Sequence, residues 1–65
     1  MRLFLVYPTA SKSPRPLTRS QAMRRVRILR AAGRDGIHVK SRREEDVVWK
    51  EVRPEIVDLW SRRLR

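Results

Sequence analysis

This chain of 65 residues has no cysteine, and His38 is its only histidine. Disulfide staples and thiolate-bound metals are therefore excluded, and a structural zinc, which needs four suitable ligands, finds no ligand set. Long apolar runs are missing too. The longest near the amino terminus, Leu3 to Tyr7, falls short of the roughly 7–15 residues of a secretory signal, and nothing approaches the roughly 20 that cross a bilayer. A cytoplasmic location without membrane insertion is expected, nucleoid-associated if the protein binds DNA. The scarcest feature is negative charge in the first 43 residues. Asp35 stands alone there against twelve lysines and arginines, whereas the last 22 residues hold five basic and six acidic side chains. The net charge of +10 is thus an amino-terminal +11 offset by −1.

A chain this short forms one domain and buries only roughly 60% of its unfolded surface. With no disulfide or metal, its stability must come from a compact apolar core, self-association or a bound partner. A hydrophobic content of 40% distinguishes it from a disordered basic tail.

Residues 2–7 are apolar after Arg2, rich in β-formers, and stopped by Pro8. An unalternating run of this kind reads as a strand covered on both faces. Residues 8–17 hold three prolines among small polar residues and read as an extended linker. Thr18 and Gln21 then form a capping-box pattern with Leu17 as hydrophobic staple, which predicts a basic helix within 18–33 that stops at Gly33. At 100° per residue Ala22, Met23, Val26, Leu29 and Ala32 share one side. Arg24 and Arg27 take the other side, with Arg25 and Arg30 on the shoulders. Ile28 also points away from the apolar side.

Gly33 to Gly36 reads as a turn, and 37–40 alternates as a short strand does. Ser41 and Glu44 repeat the capping-box signature, and Glu44, Glu45 and Asp46 suit the positive end of a helix dipole. Val48, Val52, Ile56, Leu59, Trp60 and Leu64 keep one helical phase, with Arg62, Arg63 and Arg65 at the negative pole. An amphipathic helix over 42–64 is expected, kinked or divided near Pro54, where an interior proline costs roughly 3 kcal/mol or more. A strand at 46–52 followed by a helix from Pro54 accommodates the same residues. The unbroken phase of the stripe favours the kinked helix.

These elements predict a small α+β domain in the order β-linker-α-β-α. Strands 2–7 and 37–40 are expected to pair in parallel, joined by the first helix as a right-handed crossover. The second helix would cover the sheet or pair with its copy in a homodimer. Ile28, Trp49, Val52, Ile56, Leu59 and Trp60 are the expected core or interface residues, with Trp49, Ile56 and Trp60 grouped on one helical edge.

The basic set comprises 14 arginines and three lysines. Arginine's planar fork pairs bidentately with phosphates and guanine edges and stacks on bases, which lysine does not do. Arg19, Arg24, Arg27, Arg30 and Arg34 are expected to track a nucleic-acid backbone, DNA in preference to RNA, with Lys12 and Arg15 as a basic arm. A regulator or architectural factor fits this pattern. A non-enzymatic inhibitor or adaptor docking on an acidic protein is the alternative, anchored by Ile28, Trp49 or Trp60. Catalysis is not expected: His38 has no nucleophile pattern nearby, and the acids are explained by capping and helix pairing. No cofactor is implied.

Overall fold

The computed structural model describes residues 1–9 and 12–62. Five elements follow in order: β1 (Arg2–Tyr7), α1 (Arg19–Ala31), β2 (His38–Arg43), β3 (Lys50–Glu51) and α2 (Pro54–Arg62). The three strands form one antiparallel sheet in the order β1-β2-β3, and both helices lie on one of its faces. The architecture is the α+β mixture expected.

β1 begins the core. Phe4 and Val6 point into the core cluster, and Leu5 is buried on the opposite face, which carries no helix, so β1 is not covered by layers on both faces as expected. The linker then carries the chain back along the outer edge of β1, where Leu17 and Phe4 exchange backbone hydrogen bonds of 2.8 and 2.9 Å. This return explains why the expected parallel pairing of β1 and β2 is wrong. A parallel crossover needs the helix to reverse the chain, but here the linker has already done so. α1 therefore retraces the direction of β1, rising about 20 Å over its 13 residues, and β2 must run the other way. Its register is antiparallel, from Tyr7 opposite His38 to Arg2 opposite Arg43.

The ends of α1 are fixed locally. Thr18 Oγ1 accepts from the Gln21 amide at 3.3 Å, and the Gln21 side chain accepts from the Thr18 amide at 3.0 Å. At the other end the Gly33 amide donates to the Arg30 carbonyl and the Arg34 amide to the Leu29 carbonyl, both at 3.0 Å. This is a Schellman stop, with Gly33 at φ 74° where a side chain would be strained. Thr18→Ala should cost about 1 kcal/mol of folding stability, because the cap's acceptor is lost. A denaturant titration with unchanged slope and a lower midpoint is the expected readout.

The carboxyl-terminal half departs further from expectation. The helix proposed over 42–64 does not form as one element. β2 continues to Arg43, β3 occupies Lys50–Glu51, and α2 starts at Pro54. The second capping-box signature fails because its serine is needed elsewhere. Ser41 is buried in the sheet opposite Phe4, where its hydroxyl accepts from Arg2 at 3.5 Å, and the Glu44 amide donates to the Met1 carbonyl. Pro54 divides the segment instead of kinking it. As the first residue of α2 it loses no hydrogen bond, and the amides of Ile56 and Val57 donate to the Arg53 carbonyl. The arrangement with a strand before Pro54 and a helix after it is the one observed, although that strand is only two residues long.

Dividing the helix re-sorts its apolar stripe. Val57 and Trp60 face the core, at 3% and 4% exposure, while Val48 and Leu59 are exposed at 63% and 57%. Ile56 is also exposed, and Val52 packs half-buried against the core. Trp60 meets Phe4 edge-on with ring centroids 5.7 Å apart. Ala22 and Val26 of α1, with Val6 and Val39 of the sheet, complete the cluster. Trp49 does not join Ile56 and Trp60 on a helical edge: it precedes β3, beneath the Arg42 guanidinium at 4.9 Å. Arg63 and Leu64, assigned to the expected helix, and Arg65 after it lie outside the described residues, as do Ala10 and Ser11 of the linker.

Candidate nucleic-acid interface

α1 places its side chains by the burial of Ala22 and Val26. One flank of the helix meets α2, where Arg30 Nη2 donates to Asp58 Oδ1 at 2.7 Å. The other flank meets Leu17, and there Gln21, Arg24, Arg25 and Ile28 recur at helical spacing around a shallow depression of about 240 Å³. Arg24, Arg25 and Ile28 are exposed along this strip, and the linker cations Lys12 and Arg15 are exposed as well.

The expected cations are therefore not one surface. Arg24 belongs to the strip beside Leu17. Arg27 sits half-buried on the opposite shoulder, with its Nε buried and without a hydrogen-bond partner. Arg30 is engaged with Asp58. Arg34 is exposed in the turn after α1. Arg19 faces a different feature, an open groove of about 740 Å³ whose rim also carries Arg2, Arg53 and Glu51, with Phe4 and Trp60 behind them. Arg25 is not among the expected contacts, and its spacing of four from Gln21 and one from Arg24 puts it on the strip. Arg2 and Arg53 could not be placed in a groove from sequence, because the groove joins β1, α1 and α2.

Among the described residues two ion pairs form. One joins Arg30 to Asp58, and the other joins the amino terminus to Glu44 at 3.8 Å. Lys12, Arg15, Arg19, Arg24, Arg25 and Arg34 are exposed and form no ion pair among the described residues, so their charge faces solvent uncompensated. Desolvation does not restrain such groups, and each can exchange water and counterion for a phosphate oxygen.

Arg42, by contrast, is a structural cation. Its Nη1 donates to the carbonyls of Arg43, Glu44 and Asp46 at 3.0, 3.1 and 2.6 Å, which pins the turn after β2 while the guanidinium covers Trp49. No group of three or more histidine, cysteine or acidic side chains able to hold a metal occurs among the described residues. No helix among them is long and apolar enough to cross a membrane. No family model, no curated protein and no solved structure matches the chain.

Proposed function

We propose that this protein binds nucleic acid, DNA in preference to RNA, through arginine and lysine contacts to phosphates, as a small regulator or architectural factor. The observation that supports this reading is the uncompensated charge of Lys12, Arg15, Arg19, Arg24, Arg25 and Arg34, set against the last 22 residues, whose charges nearly cancel. Phosphate contacts of this type position a protein on a duplex and give affinity before sequence preference. Titration with duplex DNA, single strands and structured RNA in gel-shift assays is the test. Saturable binding to duplex DNA at low salt is expected, with RNA binding weaker. Absence of binding to all three would refute the reading.

Exposed Ile28, at 56%, supports a second reading in which the same strip docks on an acidic protein. Under that reading Ile28→Asp abolishes capture of a protein partner after nuclease treatment and leaves nucleic-acid titrations unchanged.

We propose that a homodimer forms through α2. Leu59 and Ile56 are exposed beside the buried Trp60, and they form the apolar edge a second copy would cover. A solution mass of twice the 7.8 kDa chain is expected. Leu59→Lys should return it to the mass of one chain.

A further inference from the structure

The sheet face turned away from the helices carries Leu3, Leu5 and Tyr7 from β1 and His38, Lys40 and Arg42 from β2. Alternation determines this, because Phe4, Val6 and Val39 point into the core. Where β1 runs into the linker, Tyr7 and His38 pair across the strands with stacked rings, centroids 4.9 Å apart and planes within 11°. The Lys40 ammonium lies over the Tyr7 ring, 5.7 Å from its centroid. His38 is exposed, and its Nδ1 stands 3.2 Å from the Gly36 carbonyl oxygen, so the turn before β2 orients the ring.

We propose that Tyr7, His38 and Lys40 form a stacking site for the unpaired bases of single-stranded nucleic acid, on the side of the domain opposite α1. The proposal rests on the nucleic-acid reading above and adds single strands, bound on this face, to the duplex contacted through phosphates. Stacked rings held in place by a sheet offer a π-surface that any base can extend, and an adjacent cation offsets the phosphate that accompanies the base. Bases already stacked in a duplex cannot use such a surface, whereas those of a single strand can.

Two cations at this end are unpaired: Lys40, and Arg34 beside Asp35 in the preceding turn, form no ion pair among the described residues. The strands carry one carboxylate, Glu51, opposite Lys40 in the register. Glu44, Glu45 and Asp46 gather at the other end, where Arg42 is committed to the turn and to Trp49. That end is a clamp, which leaves the Tyr7–His38 end as the place for a base. An aromatic pair across strands also stabilises the sheet, so the test must read something that stability alone would not move.

Fluorescence anisotropy at fixed low salt would compare a thymidine oligomer of about twelve nucleotides with an abasic oligomer of equal length and charge. The base-bearing strand should bind about tenfold tighter. His38→Ala should remove roughly fivefold or more of that preference while affinity for the abasic strand stays unchanged, and His38→Phe should retain it. Equal affinity for the two strands overturns the stacking site and leaves phosphate binding standing. So does a preference that survives His38→Ala in a protein whose circular dichroism is unaltered. Failure of both strands and of duplex DNA to bind overturns the underlying reading as well. The comparison of the two strands uses the natural protein, so it decides the question even if a variant fails to fold.

Discussion

Raising salt from about 50 to about 200 mM is expected to weaken DNA binding by about a thousandfold, if six phosphates are contacted. Lys12, Arg15, Arg24, Arg25 and Arg34 are exposed and unpaired, and Arg19 at the start of α1 makes the sixth. Each neutralised phosphate contributes roughly 0.9 to the slope of log affinity against log salt, so six give a slope near −5. Replacing Arg24 and Arg25 together by glutamine should lower that slope by about two and weaken binding roughly 50-fold near 0.1 M salt. Arg30→Gln should change affinity less than about threefold, because Asp58 already holds that guanidinium and an exposed pair of this kind is worth little to either partner. A shallow slope that ignores Arg24 and Arg25, or an Arg30 variant weaker than the double variant, would overturn this placement of the contacts.

At concentrations where the chain is a monomer, Trp60→Ala is expected to abolish or severely weaken cooperative folding, whereas Leu59→Ala leaves it nearly unchanged. Truncating a buried tryptophan costs about 3–5 kcal/mol. A domain of this length has roughly 3–10 kcal/mol in total, so the variant is left with little or nothing. Its thermal midpoint should fall by about 15 °C or more. Leu59, one residue away, is 57% exposed, and its truncation should stay within about 0.5 kcal/mol. The contrast tests the division at Pro54 directly. One continuous helix with the stripe Val48, Val52, Ile56, Leu59, Trp60 would bury Leu59 beside Trp60 and make both variants costly. Because Trp60 supports the core, the clean probe of docking on α2 is Leu59 and not Trp60.

Local signals made the first half of the fold legible. The Thr18–Gln21 box and Gly33 mark the ends of α1 because both act within one turn of backbone, and β1 is evident from its apolar run alone. The same box at Ser41–Glu44 misleads, since its serine is claimed by a strand pairing with residues some 40 positions earlier. No local pattern reports that competition. The signal that was available is the alternation of His38 to Arg43, with Val39 and Ser41 inward; a small hydroxyl in the inner row conceals it. The helical phase running across Pro54 is coincidental, because residues before the proline are extended and those after it are helical. Val57 was missed for that reason.

The cationic surface was legible as a quantity and only partly as a place. Charge counting finds the arginines of α1, and helical spacing separates Arg24 from the core. That Arg30 is neutralised depends on Asp58, 28 residues away on a different helix. Tyr7, His38 and Lys40 come together only through antiparallel register, and the expected parallel pairing would not have set Tyr7 opposite His38.

Each margin of the sheet is interrupted. Leu17 occupies one, bonded to Phe4 in both directions, and on the other β3 offers only two residues before the chain turns into Pro54. A sheet with such blunt margins gives neighbouring copies almost no backbone on which to add a strand. Under the proposed nucleic-acid reading, copies crowded onto a polyanion would meet through side chains on α2 and not by ladder growth. The assembly would then stay reversible where an open margin invites fibres.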